Sequence, residues 1–118
     1  MKLPGPDHPI TIAPAKGRVV VRFQGEVVAD THAALELKEA NYPPVFYIPR
    51  GDAKMAHFAR SEHHTTCPYK GEASYFSLVA GTHRAENAVW SYETPYPAMA
   101  AIAEHLAFYP NQVTIERH

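Results

Sequence analysis

Prolines occur along the whole chain, and they constrain its fold more than any other residue type. There are 11 prolines in 118 residues, nearly twice the usual share of about 5%. A proline inside a helix removes a backbone hydrogen bond and clashes with the preceding turn. Prolines spread this evenly therefore exclude long uninterrupted helices, and with them a helical bundle or a coiled coil.

Length, charge and cysteine content narrow the class of protein further. A chain of 118 residues fits one domain with a single core. Its formal net charge of −1 lacks the excess of positive charge that non-specific nucleic-acid binding requires, so we expect no nucleic-acid partner. The single cysteine excludes an internal disulfide and zinc sites built from several thiolates, and one unpaired thiol suits a reducing compartment.

Two kinds of targeting segment are missing from the sequence. The N-terminal residues lack the apolar stretch of a signal peptide. No apolar run approaches the roughly 18 residues that a membrane-spanning helix needs. We therefore expect a cytoplasmic protein without a membrane partner.

Alternating apolar residues predict short strands after an irregular beginning. Residues 1–17 are rich in proline and glycine, and we expect an extended N-terminal arm before a single domain over residues 18–118. The clearest pattern is a hairpin in which residues 18–23 and 26–30 are joined by Gln24-Gly25.

Residues 33–40 are good helix formers, but Leu35 and Leu37 alternate with charged residues, which favours a strand. Further β-prone segments follow along the chain, and the final two are expected to pair as a hairpin. These predicted strands cover residues 45–48, 73–80, 87–92, 105–109 and 113–116.

Two short helices are expected between the strands. Asp52 can cap the first over residues 53–60, which would bury Met55, Phe58 and Ala59. Thr94-Pro95 begins the second, which would run to about Ala103 with Met99 and Ile102 facing the core. The sequence thus predicts a mainly β domain, an antiparallel sandwich or barrel of about seven or eight short strands and two short helices.

Reactive side chains crowd into a predicted polar loop at residues 61–72. His64 lies three residues before Cys67 and Lys70 lies three after it, so either is placed to lower the pKa of the thiol and make it a nucleophile. These three residues are the catalytic candidates. The alternative, which we favour, is that Cys67 is a small buried residue that fixes the loop, because nothing in the sequence completes a triad.

The sequence does not predict a metal or cofactor site. Adjacent histidines such as His63 and His64 point to opposite faces when they lie in a strand. The other histidines are scattered, and no spacing matches a known zinc or iron pattern. The chain also lacks a glycine-rich phosphate loop and the Asp-x-Asp pair that holds magnesium for nucleotidyl transfer. We expect no metal and no cofactor.

Aromatic and polar side chains predict a ligand pocket. Tyrosine and tryptophan line pockets because they combine an apolar ring with a hydrogen-bonding tip. If they share one cavity, the candidates would suit an anionic or heterocyclic group, although the aromatic residues would also fill the core of a small β domain. The candidate ligand-binding residues are Tyr47, Thr66, Tyr69, Lys70, Tyr75, Trp90 and Tyr92.

Four blocks of sequence carry a resemblance to a known family. They are Tyr47-Ile48-Pro49-Arg50, Thr66-Cys67-Pro68-Tyr69-Lys70-Gly71, Trp90-Ser91-Tyr92-Glu93 and Phe108-Tyr109. Over roughly residues 18–115 the chain resembles domain of unknown function 427, a family of small bacterial proteins. The resemblance implies a β-tent, in which two antiparallel sheets are pinned together at one edge, with an added helix and a cleft.

The resemblance also bears on metals and catalysis. Some related β-tent proteins hold zinc through paired Cys-x-x-Cys motifs, which a single cysteine cannot reproduce, so the implied tent is metal-free. The family has carried a nucleotidyltransferase label, but the paired carboxylates of that chemistry are absent here. The family supplies no established catalytic residues to carry over.

Three hypotheses about function follow from these observations. The favoured one is a binding module that holds a small polar or aromatic ligand, or a peptide end, in a cleft between the sheets. The second is a small enzyme with Cys67 as its nucleophile. The third is a structural or oligomer-forming domain whose aromatic residues all belong to the core, and a homo-oligomer is left open under each hypothesis.

Overall fold

The computed structural model describes residues 1–118 and contains ten strands and three short 3₁₀ segments. The strands are β1 (Ile10–Pro14), β2 (Val19–Phe23), β3 (Glu26–Thr31), β4 (Leu35–Glu39), β5 (Val45–Pro49), β6 (Phe58–Cys67), β7 (Gly71–Ala80), β8 (His83–Ser91), β9 (His105–Phe108) and β10 (Thr114–Arg117). The 3₁₀ segments are Arg50–Asp52, Met55–His57 and Pro97–Ile102. No helix in the structure has the length and apolar character needed to span a bilayer.

The strands form two antiparallel sheets that do not close into a barrel. One sheet has seven strands in the order β1-β4-β5-β9-β8-β7-β6, and the other has three in the order β10-β2-β3. The predicted mainly β, antiparallel class is confirmed, with ten strands where about seven or eight were expected. Of the two predicted architectures, a sandwich or a barrel (including a flattened barrel), the barrel does not apply, because both sheets keep free edges.

The β2–β3 hairpin and the strand at β4 are confirmed. Gln24 and Gly25 join β2 to β3 with φ angles of 52° and 81°, the positive values that a two-residue hairpin turn needs. The segment with ambiguous helix propensity is the strand β4, which pairs with both β1 and β5. Burial of Leu37, which is 2% exposed, outweighs the helix propensity of its neighbours.

The seven-stranded sheet has two faces of different composition. Its inner face packs against the three-stranded sheet, and its outer face lies on the opposite side. Because side chains alternate along a strand, β5, β7, β8 and β9 each send neighbouring residues to opposite faces. The inner face receives Ile48, Phe76, Val89 and Leu106, and the outer face receives Tyr47, Tyr75, Trp90 and Ala107.

The main core fills the space between the two sheets. Val19, Val21 and Val28 of the three-stranded sheet are fully buried there against the inner face. A smaller cluster lies on the outer face, where Met99 and Ile102 of the third 3₁₀ segment cover part of the sheet. Their burial confirms the side chains expected to face inward from that segment.

The expected helix over residues 53–60 is wrong. Only Met55–His57 forms a 3₁₀ turn, and Phe58 begins β6, where it lies opposite Leu78. A helix of eight residues has little stability of its own, whereas pairing with β7 satisfies the backbone. Asp52 does not cap a helix, since its carboxylate accepts a hydrogen bond from the Thr31 hydroxyl at 2.6 Å.

The polar loop expected over residues 61–72 is also wrong. Most of it is the second half of β6, from Ser61 to Cys67, followed by a turn into β7. β6 is an edge strand and its side chains are mostly exposed, so it lacks the apolar alternation that reveals a half-buried strand. The β-branched pair Thr65 and Thr66 was the available signal.

The predictions for the last third of the chain are correct in part. The second helix is only a 3₁₀ segment that starts at Pro97, because the proline keeps Tyr96 extended (φ −60°, ψ 152°). Strands β9 and β10 exist, but they do not form a hairpin with each other. β9 pairs with β5 and β8, while β10 pairs with β2 in the other sheet, so the turn at Tyr109–Gln112 connects the two sheets.

The N-terminal segment is attached to the seven-stranded sheet. Within the expected arm, Ile10–Pro14 forms the edge strand β1, with Ile12 opposite Leu37. Nearer the terminus, the Lys2 amide donates to the Pro68 carbonyl at 2.7 Å. The first residues of the chain therefore lie beside the β6–β7 turn.

Candidate functional site

A cavity of about 320 Å³ lies on the outer face of the seven-stranded sheet. Eleven residues line it, of which eight are hydrophobic. Tyr42 and Tyr109 are 64% and 39% exposed, so the cavity opens to solvent beside their rings. Its volume lies at the lower end of the range for small-molecule pockets, about 300–1,000 Å³.

Strand register brings the aromatic side chains of this cavity into one row. Tyr75 lies opposite Trp90, and Trp90 lies opposite Ala107. Because Ala107 is small, the Trp90 ring extends across β9 towards Tyr47 on β5. The indole N–H of Trp90 donates to the Tyr47 hydroxyl at 3.2 Å, with the two rings edge to face at 6.4 Å. A continuous aromatic wall results.

Three of the tyrosine hydroxyls around the cavity, those of Tyr47, Tyr92 and Tyr109, stay neutral at physiological pH. Burial raises the pKa of Tyr47 and Tyr92 above the usual range. Burial, and then a hydrogen bond with Tyr75, raise the pKa of Tyr109 to about 12. The Tyr75 hydroxyl lies 3.0 Å from Thr65 Oγ1 and 3.4 Å from the Tyr109 hydroxyl. The hydroxyls of Tyr47, Tyr92 and Tyr109 thus offer hydrogen bonds and no charge.

A nearly buried ion pair forms the polar side of the cavity. Lys70 Nζ donates to Glu39 Oε1, and the two side chains are only 9% and 15% exposed. His8 Nε2 lies 2.7 Å from the other carboxylate oxygen of Glu39, and the His8 ring stacks on Tyr69 with centroids 4.0 Å apart. Burial raises the pKa of Glu39, but the hydrogen bonds from Lys70 and His8 outweigh it and lower the pKa overall.

Five of the seven predicted ligand-binding residues line the outer-face cavity: Tyr47, Lys70, Tyr75, Trp90 and Tyr92. The other two do not. Thr66 is exposed on β6 and points away from the face that Thr65 shares with Tyr75. Tyr69 contacts the ion pair only indirectly, through its stack on His8.

The cavity that gathers the predicted residues does not coincide with the predicted cleft between the sheets. The expected ligand would lie between the sheets, but most of that space is filled by the main core. The cavity that gathers the predicted residues lies on the other face of the seven-stranded sheet. Strand alternation is the physical reason, because Tyr47, Tyr75 and Trp90 are the outward neighbours of core residues.

The structure does not bring the three catalytic candidates together. His64 and Cys67 are three residues apart in a regular part of β6, so their side chains lie on opposite faces. His64 Nδ1 is 3.7 Å from Glu72 Oε1, and Lys70 is bonded to Glu39. Cys67 is partly buried against the outer-face cluster, and no group of three or more metal-ligating side chains converges anywhere in the chain.

Sequence reasoning missed six residues that line this cavity, and three of them, Glu39, Tyr42 and Tyr109, carry polar groups. Glu39 lies two positions after Leu37 and so on the same strand face, which was a usable signal for its place in the cavity. Tyr42 lies in the connection between β4 and β5, where no strand pattern assigns its side chain to a face. Tyr109 lies just beyond β9, and only the long-range register of that strand places it beside Trp90, where the ring centroids are 4.6 Å apart.

The model of the family described as domain of unknown function (DUF427) matches residues 11–118. The chain belongs to this family. The match confirms the resemblance suggested by the four sequence blocks, and it spans every residue that lines the cavity of this DUF427 domain. His8, which contacts Glu39, lies just before the matched region. A comparison with curated proteins finds no significant match.

Proposed function

We propose that this DUF427 domain binds a small planar ligand, polar but without net charge, in the outer-face cavity. The main support for the proposal is that residues distant in sequence meet around one cavity. Residues from four strands and from the β6–β7 turn, remote in sequence, present aromatic rings and one ion pair to a single solvent-reachable space.

The aromatic wall supports a planar ligand. Tyr47, Trp90 and Tyr109 offer ring faces and edges over which a flat molecule can stack. The raised pKa values of Tyr47 and Tyr109 keep these two side chains neutral, so the wall itself carries no charge.

The ion pair supports a ligand that is polar but uncharged. Lys70 supplies donors and Glu39 supplies acceptors at adjacent positions, and their charges balance. A carboxamide or a cyclic amide presents a carbonyl oxygen beside an N–H, which complements such a pair. A carboxylate would gain from Lys70 but would be repelled by Glu39.

Trp90 provides a direct test because it is the only tryptophan in the chain and lines the cavity. We would titrate benzamide, nicotinamide and uracil, with benzoate as the charged counterpart of benzamide, and follow Trp90 fluorescence. The proposal predicts a saturable change with at least one of the amides. It also predicts weaker binding of benzoate than of benzamide.

Two variants locate the binding. Lys70→Gln removes the charged donor and should weaken amide binding about tenfold. This change in affinity corresponds to the loss of about one charge-assisted hydrogen bond. Lys38→Gln removes the same charge from an exposed position of β4 and should leave binding unchanged. An absence of saturable response to every amide would contradict the proposal, as would equal effects of the two variants.

The other two hypotheses receive less support. The enzyme hypothesis requires Cys67 beside an activating residue, but His64 lies on the opposite face of β6 and Lys70 is paired with Glu39. The structural hypothesis treats the aromatic side chains as packing alone, and it predicts no saturable response of Trp90 to any small molecule.

A further inference from the structure

A second recess, of about 450 Å³, opens between the two sheets. Its inner walls combine Phe46 of β5 and Phe108 of β9 with Ile115 of β10, so both sheets contribute. It is distinct from the outer-face cavity, although Trp90 borders both. Nothing in the proposed amide-binding function uses this recess.

The walls of the recess are mainly apolar and offer few hydrogen bonds. Pro43, Pro44 and Pro110 contribute to the lining. Proline has no backbone N–H and a fixed φ, so these residues provide a preformed wall without donors. An apolar ligand body fits such a surface better than a polar one.

Arg117 is the one charged residue that lines the recess. Its guanidinium lies 5.1 Å from the centroid of the Phe46 ring, at the edge of the apolar wall. The neighbouring carboxylate of Glu116 is bonded to Arg22 at 3.1 Å and to His118 at 3.3 Å. Adjacent residues of β10 point to opposite faces, so Glu116 does not share the recess with Arg117.

We infer that this recess is a binding site for a small apolar carboxylate. The apolar body would lie against Phe46, Phe108 and Ile115, and the carboxylate would pair with Arg117. A guanidinium binds a carboxylate through two parallel N–H bonds. The charge of this recess is therefore unbalanced and positive, whereas Lys70 and Glu39 balance each other in the outer-face cavity.

The experiment compares octanoate with octanamide, which has the same chain but no charge. Trp90 fluorescence reports binding of each, because Trp90 lines the recess. In the unaltered protein we expect octanoate to bind about fivefold more tightly than octanamide. This affinity ratio lies at the upper end of the range that an exposed ion pair contributes. No saturable binding of octanoate, or equal affinity for both probes, would overturn the inference.

Three variants assign the binding to this recess. Arg117→Gln should remove the preference for octanoate and leave octanamide affinity unchanged. Arg84→Gln removes an equal charge from an exposed residue of β8 that does not line the recess, and it should preserve the preference. Loss of the preference in both variants would show a general charge effect and overturn the inference.

Lys70→Gln separates the two sites. It should weaken the binding of benzamide, nicotinamide and uracil in the outer-face cavity and leave the preference for octanoate over octanamide intact. If Lys70→Gln abolishes octanoate binding while Arg117→Gln does not, the carboxylate binds in the outer-face cavity and the inferred site is wrong. The amide titration tests the outer-face cavity separately, so either proposal can fail alone.

Discussion

The inner and outer faces of the seven-stranded sheet are built from the same strands but differ in composition and coverage. The inner face is apolar and is covered by a second sheet, which seals Phe76 and Leu106 within the main core. The outer face carries Tyr75 and Trp90 and is covered only in part, by the segment Pro97–Ile102. Where coverage is incomplete, a cavity and an ion pair occupy the surface.

This difference separates the residues that stabilise the fold from those that line the outer-face cavity. Inner-face side chains contribute through burial of apolar surface, which is the largest favourable contribution to folding. Outer-face side chains retain hydroxyl, indole and charged groups, whose net contribution to stability is smaller. Residues one position apart in a strand should therefore respond very differently to substitution.

The largest expected effect tests this contrast directly on β7. Phe76→Ala should lower the free energy of unfolding by about 3–5 kcal/mol, because it leaves a cavity in the main core. Tyr75→Phe, one residue away on the outer face, should cost about 1 kcal/mol, because it removes only a hydroxyl bonded to Thr65. Urea denaturation measures both, and similar losses would refute the contrast.

The ion pair on the outer face should be the main exception to this contrast. Glu39→Gln should cost about 3 kcal/mol, because it leaves the charge of Lys70, 9% exposed, without its partner. Glu36→Gln, on the same strand but the opposite face, should cost much less. The double variant Glu39→Gln with Lys70→Met should recover most of the loss in urea denaturation, since it removes both charges. Failure to recover would show that the pair stabilises the fold by itself.

Acid should affect a polar cluster beside the inner-face residue Phe76. Hydrogen bonds from Arg60, which outweigh burial, hold the pKa of Glu93 at about 2, with further bonds from Ser74 and Arg50. Since this pKa is below the usual 4.5, the contribution of Glu93 is complete above about pH 4.5 and is lost as the pH falls towards 2.

The Glu93 contribution should be about 2 kcal/mol, allowing for solvent around Arg60. Urea midpoints of the unaltered protein and of Glu93→Gln should therefore differ at pH 6 and converge as the pH falls to about 2. A difference that stays constant across this range would show that Glu93 is not held ionised.

The smallest effect concerns backbone strain beside the cavity. Ala40 follows Glu39 with a φ of 46°, a region that non-glycine residues adopt at a cost. Ala40→Gly should raise the free energy of unfolding by about 0.5 kcal/mol. Gln24→Gly, at φ 52° in the β2–β3 turn, provides the matched control and should give a similar gain. A loss of stability in Ala40→Gly alone would show that the Ala40 methyl group contributes to packing.

The alternation of apolar residues and the turn residues predicted those strands and turns that depend mainly on neighbouring residues in the sequence. The β2–β3 hairpin and β4 followed from alternation and turn residues, and five cavity residues followed from the chemistry of tyrosine, tryptophan and lysine. β6 was missed because an exposed edge strand has no buried face to produce alternation. The pairing of β9 with β5 and β8 depends on contacts between residues distant in sequence, which alternation alone does not encode.

The same limit explains why several residues that line the cavity were predicted, but not the face of the sheet on which they meet. Tyr47 and Trp90 both line the cavity, yet which side of the sheet they occupy depends on where the second sheet packs. Glu39 could have been assigned to their face only after β4 had been placed beside β5. The sequence therefore shows which side chains can bind a ligand, but only the pairing of the strands shows which of them lie together.

The contacts of the first few residues have a practical consequence for work on this domain. The His8 ring is hydrogen-bonded to one carboxylate oxygen of Glu39, and the Lys2 amide is hydrogen-bonded to the β6–β7 turn, which contains Lys70. A fragment cut at the family boundary, residue 11, would keep all ten strands except the first residue of β1, yet it would lose both contacts. Affinities measured on such a fragment would describe an altered polar wall, and a tag fused to Met1 would be tethered near the site.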